Sequence, residues 1–424
     1  MNNENINEDN IYNDVVKREI NLCKVARNIA NKYQIIYCAG NFYKYESGYY
    51  QQLDVNEINK CTKDILADSF NIHRANEVNF ALKADCFIDI AQLDKTNLLN
   101  LRNGLLDLDT FKLQSHSPEI YTTIQLQVKY EPNAVCPKWE KTVDEIFQSD
   151  KNSINTLQEF FGLCLTRETK YHKALFCIGD GANGKSTVLE TLEAILGMRN
   201  YSAIPLERFD NTHYLAGLLG KLANISIETN AKSSIYDSTF KAIVSGDAIT
   251  ADYKFGHPFT FNPFCKLIFA LNNMPRVDDK TSAFFRRLII LRFNRTFLDI
   301  QQNKNLDIEL LSELDGIFLW ALKGLDRLNK RGRFEENAEL LREIAEYKLE
   351  NNNVLVFVEE RCRLDAPLSI SKDSLYADYS AWCERSGYRA LSKLKFGKEL
   401  KKQFNIITDS RTSDTREWQG IDTI

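Results

Sequence analysis

Nine consecutive residues, Gly179-Asp180-Gly181-Ala182-Asn183-Gly184-Lys185-Ser186-Thr187, fit the pattern G-x-x-x-x-G-K-[ST]. Their types explain the chemistry such a stretch can do. Small residues let the backbone curl so that successive N–H groups point at one polyphosphate. Gly179 and Gly184 free the turn from side-chain clashes. Lys185 supplies a point charge for the β- and γ-phosphates, and the Ser186 hydroxyl is a ligand for Mg²⁺. A chance glycine-rich turn is the alternative, and the context weighs against it. The apolar run Ala174-Leu175-Phe176-Cys177-Ile178, of strand length, precedes the loop, and Val188 to Leu196, apolar at helical spacing, follows it up to a stop at Gly197. The stretch points to ATP with Mg²⁺, and not yet to what the nucleotide drives.

Further segments carry residues that could complete such a site. Lys221 to Glu228 reads as a strand ending in an acid. Ligands of a parallel α/β sheet sit at the carboxyl ends of strands, where Glu228 would polarise an attacking water; otherwise it is a surface acid. Ile227 stands where a second acid often precedes the catalytic one, so the means of steadying Mg²⁺ beyond Ser186 stay open. Cys265 to Leu271 reads as another strand, finishing in Asn272-Asn273-Met274-Pro275. Asn272 is the candidate amide for the γ-phosphate and the lytic water, with Asn273 left as a turn cap. Arg286 and Arg287 precede the apolar run Leu288-Ile289-Ile290. Arg287, which abuts the strand, is preferred over Arg286 as a cation reaching a neighbouring subunit's nucleotide; an arginine supplied that way adds about 10³–10⁵ in rate. The alternative is an ordinary surface or salt-bridged pair. Within Ser245–Phe261 two alternating runs flank Gly256-His257, the pattern of a hairpin, with Lys254 near the tip. A lysine in such a place is usually just solvated.

The rest of the chain must position these groups. With 424 residues, it is long enough for two to four domains. Its net charge of −4 excludes a uniformly basic DNA-coating protein, so any nucleic-acid contact must be local. The ten cysteines show neither C-x-x-C nor zinc spacing with histidine, and read as small buried residues of a reducing cytosol. Met1 to Asn10 lacks the apolar core of a signal peptide, and no run is long enough to span a membrane, so a cytoplasmic protein is expected. Residues 11–40 read as helix, Asn41 to Tyr50 as an aromatic hairpin whose Lys44 and tyrosines pack on a sheet face more readily than they stack on bases, and Val55 to Phe70 as helix. Leu101 to Thr110 and Phe111 to Leu113 read as two short strands, and His116 as a turn residue. Pro132 and Pro137 bracket a linker, followed by amphipathic helices over Trp139–Phe147 and Ile154–Leu165. Beyond the core come helices over 311–328 and 335–349, a boundary at Asn351-Asn352-Asn353, helices over 372–386 and, capped by Ser392, 392–404, then short strands over 405–409 and 416–421. The last helix carries Lys393, Lys395, Lys398, Lys401 and Lys402 against Glu399, a local basic stripe suited to phosphates; the alternative is a solvated face with Leu394 and Leu400 in the core.

The order phosphate loop, Glu228, hairpin, Asn272, Arg287 resembles the hexameric superfamily 3 helicases, and in detail the phage and plasmid primase–helicase branch. Asn103-Gly104, Leu106-Asp107-Leu108, His116-Ser117-Pro118, Tyr130 to Ala134 and Cys136-Pro137-Lys138-Trp139 continue that likeness toward the amino terminus. The resemblance implies an α/β, AAA+ type P-loop NTPase core over 134–350, an N-terminal α+β module over 1–133 and a winged-helix-like domain over 351–424. It implies a hexameric ring, 3′-to-5′ travel, and a hairpin in the central channel whose Lys254 grips the DNA backbone, with His257 as a second contact and Phe255 as a weaker stacking candidate. Lys393, Lys395 and Lys398 are the candidate DNA contacts of the last domain. A separate primase is a possible partner, since no polymerase carboxylate set is recognisable at the front of this chain. The rival readings are an ATP-switched origin-binding initiator, which would bind one duplex site without displacing a strand, and a small-molecule kinase, whose turnover DNA would not stimulate.

Overall fold

The structure is a computed structural model that describes residues 20–227, 237–254, 257–275, 282–298, 303–336, 338–350, 352–411 and 416–424. Helix α1 (Leu22–Tyr33) starts at Asn21, whose side chain accepts from Lys24 N, and stops at Gln34 in a left-handed conformation. The chain then turns into strand β1 (Ile35–Cys38), so the helix expected over 11–40 is shorter: the β-branched pair Ile35-Ile36 instead joins an antiparallel sheet. β2 (Asn41–Glu46) and β3 (Tyr49–Leu53) form the expected hairpin around Ser47-Gly48, both at positive φ (56° and 93°). Helices α2 (Val55–Leu66) and α3 (Ile72–Asp85) pack against α1.

The next expected strand divides in two. β4 (Leu98–Leu101) and β5 (Gly104–Asp107) pair around Arg102-Asn103, and β5 pairs with β6 (Leu113–Gln114) across a turn where Asp107 accepts from the amides of Asp109 and Thr110. His116 is a structural residue here: its Nε2 lies 2.8 Å from Leu101 O. Leu99, Leu101, Leu106, Leu126 and Val128 share one buried cluster with Trp139, Phe160, Leu175 and Ile317, so a division at residue 133 runs through continuous packing.

The central unit follows with α4 (Pro137–Ile146), α5 (Lys151–Cys164), β7 (Ala174–Ile178), α6 (Lys185–Leu196), β8 (Tyr201–Ser202), α7 (Thr212–Leu215), β9 (Ala223–Ile227), α8 (Asp237–Ser245), β10 (Ile249–Ala251), β11 (Phe259–Phe261), β12 (Lys266–Leu271), α9 (Ser282–Phe285) and β13 (Leu288–Arg292). Five of these strands form one sheet in the order β13-β7-β12-β9-β8, with every pairing parallel. Alternation along each strand explains why both faces are covered. Leu175 and Cys177 of β7 enter one buried cluster with α5 and α6, whereas Ala174, Phe176 and Ile178 enter another with Phe240 and Phe284.

The helix expected over 311–328 is α11 (Leu314–Arg331), which a separate short helix, α10 (Leu306–Leu311), precedes. α11 lies very close to α5. A Cβ on Gly162 would come 2.4 Å from Ala321 O, and one on Gly324 2.4 Å from Gln158 O, so both contacts require glycine. The buried Glu159 carboxylate joins Arg327 (2.6 Å) and Arg331 across this pair. α12 (Ala338–Glu350) follows.

At the boundary, Asn352 caps α13 (Asn353–Arg361) by accepting from Val354 N, and Asn353 is itself buried. The expected boundary thus coincides with the start of a helix, with Asn351 outside the described residues. β14 (Cys362–Ser371), α14 (Lys372–Arg385), α15 (Lys393–Gln403), β15 (Thr408–Arg411) and β16 (Arg416–Thr423) complete the chain, with an antiparallel sheet in the order β14-β16-β15. This unit has its own core around Phe357, Tyr379, Phe396 and Trp418. Leu394, expected inside, is 71% exposed, and Phe396 with Leu400 makes the buried seam one turn apart. Ser392 precedes α15 without a side-chain capping bond. Seven of the ten cysteines are buried, while Cys23 is exposed. No helix among the described residues is long and apolar enough to cross a membrane.

Candidate functional site

The phosphate-loop residues lie between the end of β7 and the start of α6, at the carboxyl edge of the sheet. β7 is flanked by β13 and β12, so the loop emerges where the chain's crossovers diverge, the place where open parallel sheets leave a crevice. Ala182 and Gly184 both take positive φ (55° and 87°). A Cβ on Gly184 would also fall 2.6 Å from Ile146 Cδ1 at the end of α4. The loop is held from behind by the segment after β13. Phe297 N donates to Ala182 O at 2.8 Å, and Asn183 Nδ2 donates to Phe293 O at 3.2 Å. Arg295 ties that segment to α4, donating to Glu145 O at 3.0 Å with its guanidinium 4.5 Å from the Phe297 ring centre.

Lys185 folds its ammonium into the loop. It donates to Gly179 O, to Asp180 O at 3.0 Å and to Asn183 Oδ1 at 3.2 Å. Burial holds its pKa below the usual lysine range. A polyanion in the loop would offset that desolvation, so the residues fit a triphosphate. Ser186 is exposed in the first turn of α6, where its hydroxyl can meet a phosphate-bound Mg²⁺. Among the described residues no group of three His, Cys, Asp or Glu side chains is placed to hold a metal, so Ser186 stands without an acidic cluster beside it.

Above the loop opens a cavity of about 1170 Å³. Gly181 to Thr187, Ile227 at the end of β9, and Asn272 and Asn273 after β12 all line it. Three segments distant in sequence therefore meet at one place. Asn272, the candidate amide, stands at this cavity. Glu228 lies outside the described residues; its neighbour Ile227 is on the cavity wall. The cavity is also lined by Lys138 on α4 and by residues that no motif singled out, Lys141 and Thr142 on α4 and Lys304 after β13. Lys138 is paired with Glu309 at 2.6 Å. The signal for Lys141 was its place five residues before Ile146 on an amphipathic helix, which has no meaning until α4 is known to cover the loop.

The two arginines lie at the opposite, amino-terminal end of the sheet, since Ala174 N at the start of β7 donates to Arg287 O. The preference for Arg287 is corrected by burial. Arg287 is only 8% exposed; it donates to Ala283 O and to Ser245 Oγ (2.8 Å) within its own chain. Burial, followed by the like charge of Arg286, draws its pKa down. Arg286 is exposed, and is the one of the pair free to face a neighbour.

β10 and β11 pair as a short hairpin, with Ala251 opposite Phe259. Lys254 and His257 are both exposed at its end, while Phe255 and Gly256 lie outside the described residues. Burial pushes the Tyr43 phenol of β2 up to about 12, with smaller contributions from Cys38, Asp94 and Tyr253. Lys393, Lys395 and Lys398 are exposed on α15, in the separate C-terminal core. Lys393 is paired with Asp373 of α14.

Residues 17–148 match the family described as "D5 N terminal like", 349–419 the family "Poxvirus D5 protein-like", and 177–287 a "Family of unknown function (DUF5906)". The chain is 24% identical over 220 residues to a protein of Acanthamoeba polyphaga mimivirus named "Putative helicase L207/L206". It is similar in fold to the C-terminal region of NrS-1 in its apo A form, with a TM-score of 0.58, 13% identity, and 95% of this chain and 100% of that chain covered. Its two ends are thus similar to D5-type families, and its fold to that C-terminal region. A second apo structure of the NrS-1 C-terminal region matches with a TM-score of 0.55 and 11% identity, with 95% of this chain and 100% of that chain covered. The match to the mimivirus protein takes in 49% of this chain and spans about a quarter (23%) of the length of that protein.

Proposed function

We propose that this chain is an ATP-dependent, ring-forming DNA helicase for the replication of a phage, plasmid or other mobile element. The observation that carries the reading is the convergence of Lys185, Ile227 and Asn272 on one cavity at the carboxyl edge of a parallel sheet. In local numbering along the chain, the strand order is 5-1-4-3-2, which supports an AAA+ type core. In the C-terminal unit, the order helix, strand, helix, helix, strand, strand with a three-stranded antiparallel sheet supports a winged helix.

In this reading the loop amides and Lys185 bind the triphosphate, and Ser186 holds Mg²⁺, which supplies charge neutralisation at the β- and γ-phosphates. Glu228, one residue beyond Ile227, takes the role of orienting the attacking water, with Asn272 as the second amide partner. Arg286 faces the nucleotide of an adjacent subunit. The hairpin bearing Lys254 and His257 contacts the strand phosphates. A hexamer and 3′-to-5′ travel follow the family resemblance.

The test is displacement of an annealed strand with and without ATP, for the wild-type chain and Lys185→Ala. We expect ATP-dependent displacement that the substitution abolishes. Displacement by Lys185→Ala would remove the site from this loop. A specific observation also favours an ATP-switched initiator. Lys395 and Lys398 stand exposed beside exposed Leu394 on α15, a surface suited to a duplex groove. Tight binding to one duplex sequence without strand displacement would select that reading.

A further inference from the structure

The β10–β11 hairpin carries a feature that the phosphate-contact reading leaves unused. Phe259 and Phe261 are two apart on β11 and so share a face. Their rings stack at 5.7 Å with planes 28° apart, and Tyr253 stacks on Phe259 at 5.2 Å and 24°. Opposite Phe259 is Ala251, whose single methyl leaves room for the second ring. The column has a direction. Phe261 is buried in the core, Phe259 is half-buried, and Tyr253 is 54% exposed. Lys254 follows immediately, with His257 across the turn.

An exposed tyrosine is ordinary. One held by a stacked column rooted in the core, beside a cation, is different. It has given up rotamer freedom before any partner arrives, and it presents a π surface next to a charge that suits phosphate. Single-stranded nucleic acid offers that combination in every nucleotide, whichever base it carries.

We propose that Tyr253 is a base-stacking residue, the outermost ring of a preformed aromatic column that takes the face of a nucleobase while the neighbouring Lys254 takes its phosphate. This rests on the reading of the hairpin as the strand-contacting element. The Phe255 position, considered from sequence, lies one step beyond Lys254, whereas the column is built on the residue before it.

The full chain is tested with two fluorescent probes of equal length, oligothymidylate and a strand of abasic sites. Stacking on an aromatic side chain contributes ~1–3 kcal/mol per base. Tyr253→Leu, which still covers Phe259 but has no π face, is expected to weaken oligothymidylate binding by about 5- to 100-fold. Its abasic-strand binding should stay within about twofold, and Tyr253→Phe should match wild type on both probes. Equal loss on both strands, or no loss on either, overturns the proposal. Basal ATP hydrolysis, which Tyr253 does not touch, reports whether each variant is folded. If Tyr253→Leu does not fold, photocrosslinking of a halogenated-pyrimidine strand to the wild-type chain decides: a crosslink on the Tyr253 peptide supports stacking, and crosslinks only elsewhere overturn it. Wild-type protein that binds neither probe would sink the hairpin reading itself, and the proposal with it.

Discussion

Replacing Arg286 and Arg287 one at a time separates a structural cation from a catalytic one. Arg287 is buried and donates to Ala283 O and Ser245 Oγ, joining α9 to the end of α8 beneath β13. Hydrogen bonds to a charged group contribute ~1.5–3 kcal/mol each, and geometry here is shared between a backbone carbonyl and a hydroxyl. Arg287→Ala should therefore lower the unfolding free energy by about 2–4 kcal/mol. That is a large fraction of the ~5–15 kcal/mol of a typical domain. Arg286 is exposed, and its loss should change stability by no more than about 0.5 kcal/mol. If Arg286 reaches a neighbouring nucleotide, Arg286→Ala should cut kcat by about 10³–10⁵. Urea unfolding gives the first quantity, and ATP turnover of the assembled protein gives the second. Mixing Arg286→Ala with Glu228→Ala subunits should restore part of the turnover, because one intact interface can then form. Arg287→Ala as stable as wild type yet inactive, with Arg286→Ala fully active, would reverse the two roles.

Two further outcomes follow from the same structure. Lys254→Ala should keep basal ATP hydrolysis and lose strand displacement; displacement at the wild-type rate would detach the hairpin from the strand. Lys266, at the start of β12, is buried and donates to Phe264 O at 3.0 Å and to Thr166 O; burial lowers its pKa to about 8. Between pH 8 and the ordinary lysine pKa the unfolded chain holds a proton the folded one has released, so stability contributed by this group rises with pH and is lost as pH falls through 8. Relative to Lys266→Met, wild type should gain about 1 kcal/mol of unfolding free energy between pH 7 and pH 9. The comparison is made there because the buried thiols of Cys164 and Cys265, pushed up to about 12 by burial, oppose it at higher pH. A flat difference across that range would mean that Lys266 is solvated.

The sequence by itself determined the elements whose signals are local. Ala174–Ile178, the loop and the helix ending at Gly197 were legible because strand length, glycine placement and helical spacing each depend on adjacent residues. So were the hairpin at Ser47-Gly48 and the buried face of α11. What tertiary structure decided were matters of direction and neighbourhood. Adjacent arginines have the same composition, and only the packing of α8 and α9 turns Arg287 inward. Leu394 is as apolar as Leu400, yet the core of the C-terminal unit meets the helix face that carries Phe396. Asn352 and Asn353 mark a boundary in sequence, and only the fold shows that one caps a helix and the other is buried. Lys141 and Tyr253 carry no motif. Their place follows from how α4 covers the phosphate loop and how an alanine leaves room on a strand, which are contacts across distances that spacing along the chain does not encode.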